Sequence, residues 1–237
     1  MQAKAESSKK SSKTAKNPIK RLSIMEAAER IFAKKGFYEA TIAGIAKIAN
    51  VSEATIYEYF NSKEELLFSI PAEKTLQHLE KNEEILQYIQ GATNKLRALI
   101  YRHLQLYSLN PDYAKLVMLI LKTNRNFLKT EAYKHVQESA RLTIQVLEEG
   151  IRNGEFRADT KPYLVRAMIY GTIEHLVIRN SLLGVPEDLL SLVDDITNNI
   201  LQGILLPKKE ADYNIHVTLQ TEGPAGRSIE SENSPLT

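Results

Sequence analysis

The sequence predicts an all-α chain of about nine helices, on three observations. Apolar residues recur at i, i+3, i+4 and i+7 through most of the span from residue 19 to residue 206. Strong break signals, Asn110–Pro111, Asn153–Gly154 and Gly184–Val185–Pro186, cut that span into helix-sized pieces. No alternating apolar and polar run competes with them before residue 210.

The first predicted helix covers residues 19–35, with Leu22, Met25, Ala28, Ile31 and Phe32 on its buried side and Gly36 placed to end it. In the second, Ile42, Ile45, Ala46 and Ala49 form one apolar face, and the Thr41 hydroxyl is placed to cap it. Asn50 tolerates the left-handed backbone of a tight turn, and Val51 plugs that turn from inside. Ser52 is an N-cap for the third helix, Glu53–Phe60, where Ile56 and Phe60 point inward at i, i+4. Two short helices about a tight turn are the layout of a helix-turn-helix, which sets its second helix in the DNA major groove. The bland alternative is an ordinary pair of core helices.

Ser62 opens a long fourth helix, with Glu64 and Glu65 in its first turn to complement the dipole. Pro71 predicts a kink or a restart there. Helices Ala92–Leu109, Asp112–Leu128 and Thr130–Arg152 follow, the second apolar almost all round through Leu116, Met118, Leu119 and Ile120. Asp159–Thr160–Lys161–Pro162 is a start signal for a helix reaching Leu183. The last helix spans Glu187–Leu206. These last two look apolar on more than one stripe, so each needs a second partner. Pairing them with the same helices of another copy makes a four-helix, two-fold interface; a monomeric bundle is the alternative.

Composition adds bounds. The chain has 237 residues, 43% hydrophobic and 25% charged, enough for one large core or two domains. Net charge is +2, but unevenly spread: residues 1–63 hold 12 Lys and Arg against 6 Asp and Glu, and the remainder 19 against 23. A basic N-terminal part is the electrostatic footprint of a DNA binder, although five of those lysines precede Pro18 and also fit a merely basic tail. The absence of cysteine excludes disulfides and a thiol nucleophile and fits a reducing, cytoplasmic setting. No apolar run reaches membrane-spanning length. MQAKAESSKKSSKTAK lacks the apolar core of a signal peptide and reads as a flexible arm. Residues 207–237, rich in Pro, Gly, Ser and Glu, read as disordered, with a partnerless strand-like alternation over Asn214–Leu219. The expected organisation is an arm over 1–18, a three-helix DNA-binding domain over 19–63, a ligand-binding and dimerisation domain over 64–206, and a tail over 207–237.

Catalytic signatures are missing: no Gly-rich phosphate loop, no HExxH and no nucleophile elbow. His175 beside Glu174 invites a metal or catalytic reading, but a lone helical histidine is more often packing, and His78, His103 and His135 show no ligand spacing. No enzyme, cofactor or metal is expected.

EAAERIFAKKGFYEATI and TIYEYFNSKEELL, within residues 20–68, resemble the N-terminal DNA-binding domain of the TetR (tetracycline repressor) family. The resemblance implies an all-helical homodimer whose C-terminal domain binds a small ligand and shifts DNA affinity. It places DNA contacts on Thr41, Ser52, Glu53, Ala54, Thr55, Tyr57, Tyr59 and Lys63. Ser52 to Thr55 lie in the first turn of the recognition helix, nearest the base edges. Tyr57, Tyr59 and Lys63 suit phosphate anchoring, and Thr41 sits where helix N–H groups favour a phosphate. Core packing for Tyr57 and plain solvation for Lys63 are the alternatives. Two departures stand out. Ala43, followed by Gly44, sits where many relatives carry a long polar residue, so one bidentate base contact is missing. Glu53 is acidic; it either accepts from a cytosine amino group or only stabilises its own helix N-terminus.

The later text VLEEGIRNGEFRADTKPYLVRAMIYGTIEHLVIRNSLLG, with LVMLILKTNRNFLK before it, is similar to the fatty-acid-degradation repressors that respond to long-chain acyl-CoA. An acyl chain needs an apolar tunnel, for which Leu106, Met118, Leu121, Met168 and Ile169 are candidates. Coenzyme A phosphates need cations: Lys122 and Arg125 beside Asn124, and Arg179, are the candidates. Plain core and solvated cations are the alternatives, as is another apolar effector. The function expected is a sequence-specific DNA-binding regulator, a repressor of a palindromic operator released by an apolar effector. The runner-up is a helical adaptor or scaffold that has lost specific DNA binding.

Overall fold

The computed structural model describes residues 17–206. The predicted basic arm (but for its last two residues), the predicted disordered tail and the Asn214–Leu219 alternation lie outside the described residues. Within them the chain is helical throughout, with one isolated antiparallel bridge between Phe156 and Leu205.

Helix α1 (Pro18–Glu39) starts on Asn17, whose side chain accepts from the N–H groups of Ile19 and Lys20. Its regular part stops at Gly36, where φ is 76° and a side chain would be strained. Leu22, expected inside, is 41% exposed. Helix α2 (Ile42–Ala49) is capped by Thr41, which accepts from the Gly44 N–H at 3.1 Å. Asn50 closes it in the left-handed region, at φ 54°. Helix α3 (Glu53–Tyr59) is capped by Ser52, which accepts from the Thr55 N–H at 3.0 Å. Ile24, Ala28 and Phe32 of α1 are buried with Ile45, Ile56 and Phe60, the core of a three-helix unit.

Helix α4 (Lys63–Leu86) is capped by Ser62 and runs through Pro71 without restarting. Proline has no N–H, so the Leu67 carbonyl loses its helical partner at that turn. Helix α5 (Ala92–Ser108) has its first N–H groups held from outside: Glu155 accepts from Ala92 at 2.8 Å and from Thr93 at 3.0 Å. Leu96, Ile100 and Leu104 make α5 central, packed on α7, α8 and α9.

The single helix expected over Asp112–Leu128 is broken into pieces. Helix α6 (Pro111–Lys115) opens into a wide π-helical stretch, Leu116–Leu121, and then a turn. The turn forms because the Asn124 side chain accepts from the N–H groups of Asn126 and Phe127, offering the backbone an alternative to helix. A 3-10 turn, Phe127–Lys129, leads to α7 (Glu131–Arg152). Gly150 of α7 gives the Phe156 ring room to pack against it.

Helix α8 (Pro162–Leu183) begins and ends close to expectation. The last helix, α9, covers Val193–Ile204 and not Glu187–Leu206. Local bonds hold the earlier residues in turns: Asp188 accepts from Leu190 N–H at 2.8 Å, and Asn180 donates to the Pro186 carbonyl at 2.7 Å. α9 also has one apolar stripe, not several. Val193, Ile196, Ile200, Leu201 and Ile204 face the core of their own chain, while Asp194, Asp195, Asn198, Asn199 and Gln202 face out. α8 keeps an uncovered apolar face, with Leu164, Met168, Leu182 and Leu183 between 52% and 65% exposed.

Candidate DNA-binding face and effector cavity

The capping of α2 and α3 decides which side chains look outward. With Ile45, Ala46 and Ile56 buried, Thr41, Ser52, Glu53, Ala54 and Tyr57 are exposed together at the start of the two helices and along α3. Thr55 is half-buried, and its hydroxyl lies 2.9 Å from that of Ser52. Tyr57 is 52% exposed, which removes the core-packing alternative for it. Tyr59 is half-buried, and its hydroxyl accepts from the Asn17 N–H at 3.1 Å. Lys63 does structural work as well: its ammonium donates to the carbonyls of Phe37 and Ala40, both at 2.8 Å, and lies 4.5 Å from the Phe37 ring centre. Two of its three N–H groups are thereby taken.

A cavity of about 660 Å³ lies among α4, α5, α6, α7 and α8. α4 contributes Pro71, Thr75 and His78, and α5 contributes His103, Leu106 and Tyr107. α8 turns a polar stripe inward, Arg166, Tyr170 and Glu174, at i, i+4 and i+8. Val117, Leu121, Val136 and the rings of Tyr113, Phe127 and Tyr133 fill in apolar surface. Lys122 and Glu174 form an ion pair on this wall. Of the predicted ligand residues, the wall contains Leu106, Leu121 and Lys122. Met118 and Ile169 are buried elsewhere in the core. Asn124 is occupied closing its turn, and Arg125 is exposed on that turn. Met168 is 52% exposed, about 200° around α8 from Tyr170. Arg179 is exposed beyond the cavity end of α8.

Burial sets the electrostatics of the wall. Loss of water lowers the pKa of His78 to about 4, helped by the positive charges of Arg102 and Lys81. The same loss lowers His103 to about 3, helped by His78 and Lys122. Both imidazoles are therefore neutral at pH 7. Burial pushes the Tyr113 phenol up to about 12 and raises Tyr107 and Tyr170 as well. Sequence reasoning followed apolar residues and cations and so missed the histidines and tyrosines. The inward stripe of α8, with Arg166, Tyr170 and Glu174 each one turn apart, was the available signal. Among the described residues there is no group of three His, Cys, Asp or Glu that could hold a metal. No described helix is long and apolar enough to cross a membrane.

Comparison with known proteins gives concordant matches. The pattern of the tetR family of bacterial regulatory proteins matches residues 24–70, and that of the C-terminal region of YsiA-like proteins matches residues 72–203. The fatty acid metabolism regulator protein of Bacillus subtilis (strain 168) is 30% identical over 185 residues, covering 78% of this chain and 95% of that protein. The fatty acid degradation regulator FadR of Bacillus halodurans superposes with a TM-score of 0.74 at 28% identity, covering 80% of this chain and 98% of that one. FadR of Bacillus subtilis, solved in complex with stearoyl-CoA, superposes with a TM-score of 0.72 at 29% identity, covering 77% and 98%.

Proposed function

The chain belongs to the TetR family of bacterial regulatory proteins, and on that premise we propose that it is a repressor released from a palindromic operator by a long-chain acyl-CoA or a similar apolar effector. One observation carries this reading. The helix that lines the cavity through Pro71, Thr75 and His78 is the same helix whose first residue, Lys63, holds the Phe37 and Ala40 carbonyls at the end of α1. Whatever fills the cavity therefore presses on an element bonded directly to the DNA-binding unit.

The roles follow from position. Ser52 to Thr55 read base edges, and Thr41, Tyr57, Tyr59 and Lys63 set the register against phosphates. The uncovered face of α8 pairs with its copy in a two-fold dimer, which presents two α3 helices about one DNA turn (roughly 34 Å) apart. α9 adds polar contacts at the edge of that interface. The domain division is 19–63 and 64–206. The relatives are regulators, and this chain acts by binding without turnover. Its setting is the cytoplasm.

The test is a gel-shift titration against the promoter beside its own gene, with and without stearoyl-CoA. Retention of that duplex over random DNA, and release by stearoyl-CoA, are expected. Thr55→Ala should shift site preference more than overall affinity. Failure to retain any duplex would favour the scaffold alternative. Retention without release would leave the regulator and remove the acyl-CoA.

A further inference from the structure

Three polar side chains on the cavity wall have no hydrogen-bond partner among the described residues. His78 and Tyr107 are 9% and 8% exposed, so each is about nine-tenths buried. His103 lies between them, its ring centre 6.3 Å from that of His78 and 5.2 Å from that of Tyr107. Tyr170 packs edge-on against His103 at 4.7 Å, but its own hydroxyl is matched by Thr143 at 2.9 Å. The imidazoles of His78 and His103 and the phenol of Tyr107 have no such match. Their polar atoms are nonetheless not sealed in protein, and the space they border is the cavity they line.

The chemistry of this cluster is specific. Each neutral imidazole carries one donor and one acceptor, and the phenol can do either. A plain alkyl chain laid across them would take away their access to water and return no hydrogen bond. Leu106, Val117, Leu121 and Val136 provide apolar wall around the same cavity, so the polar cluster interrupts a surface otherwise suited to hydrocarbon. A charged group is a poor match for these three side chains themselves, because both imidazoles are neutral.

We infer that the effector carries an uncharged oxygen function, a hydroxyl or a keto group, within its apolar body, seated against His78, His103 and Tyr107. The inference rests on reading the cavity as the effector site and names the class of molecule within that reading: an oxygenated acyl chain in preference to a saturated one. Sites built to pair a buried polar group discriminate strongly against analogues that lack its partner.

The experiment is calorimetric titration of the full chain with stearoyl-CoA and with its mono-hydroxy and mono-keto forms, the oxygen moved along the chain. At least one oxygenated form should bind about tenfold more tightly than stearoyl-CoA. His103→Leu should reduce that preference to within about twofold. Tyr107→Phe, which keeps the ring and removes only the hydroxyl, should reduce it in part and melt like the parent. If stearoyl-CoA binds the parent at least as tightly as every oxygenated form, and Tyr107→Phe leaves the ranking unchanged, the inference is overturned while the acyl-CoA reading stands. If neither kind of acyl-CoA binds, both fall together.

Discussion

The ammonium of Lys74 lies 2.8 Å from the Glu29 carboxylate and binds α4 to α1. The same ammonium reaches the Asn110 side chain at 3.3 Å and sits 4.9 Å from the ring centre of Tyr113, a cavity residue. The Glu29 side chain is 12% exposed, so the pair is partly desolvated. Lys74→Met should therefore leave a poorly hydrated carboxylate unpaired and cost about 1–3 kcal/mol. Urea unfolding measures this. A double-mutant cycle with Glu29→Gln should show coupling, and strict additivity would show that the contact is idle.

Lys63 has a second role to separate from any phosphate contact. Lys63→Met leaves the carbonyls of Phe37 and Ala40 without their charged donor and should lower stability by about 1–3 kcal/mol. Tyr57→Ala, on an exposed side chain, should leave the melting temperature alone and weaken binding to specific and random DNA alike. Full stability in Lys63→Met would reduce that lysine to a DNA contact.

Glu174 holds Lys122 on the cavity wall. An anionic head group seated at this wall would compete with that carboxylate for the lysine. Glu174→Gln should tighten acyl-CoA binding several-fold, about 1 kcal/mol, and Lys122→Met should weaken it by a similar factor. Titration calorimetry at two salt concentrations checks both. Equal affinities in all three proteins would place the head group elsewhere.

The buried histidines make stability depend on pH. Both have folded pKa values well below the ordinary 6.5, about 4 for His78 and about 3 for His103. Between those values and 6.5 the unfolded chain binds more protons than the folded one, so stability rises with pH there and falls on acidification. The contribution is complete above about pH 7. Glu155 adds loss at the acid end. Burial alone would raise its pKa, but the hydrogen bonds from Thr93 and Ala92 lower it on balance. Melting temperatures from pH 7 to pH 4 should decline, and less steeply in His103→Leu. Parallel curves would contradict the assignment.

Gly150 gives a prediction about packing alone. A methyl group there would run into the Phe156 ring and approach Ala92 Cβ to 2.9 Å. Phe156 is 1% exposed and cannot swing out. Gly150→Ala should cost about 1–3 kcal/mol despite its better helix propensity. A neutral or stabilising change would mean that the α7–α5 contact is looser than described.

How far the sequence could be read depended on range. Thr41, Asn50 and Ser52 act on backbone groups within four residues of themselves, so the α2–α3 turn was legible almost to the residue. The middle of the chain was not, because competing local bonds look like helix in an apolar pattern. Asn124 ends a helix that the apolar run Leu116 to Ile120 predicts to continue, and Asp188 delays α9. The cavity was least legible. Its wall joins residues from five helices, and no spacing within one helix says that His78 will meet His103. Met168 and Ile169 are neighbours in sequence, yet one faces outward and the other the core.

Pro71 has a mechanical consequence. A helix resists bending because its hydrogen bonds must stretch, and at this buried turn one of them does not exist. The stiffness of α4 is therefore lowest where it borders the cavity, and higher on the side toward Lys63. A small displacement of the wall can pivot the N-terminal segment as a unit, without unwinding it.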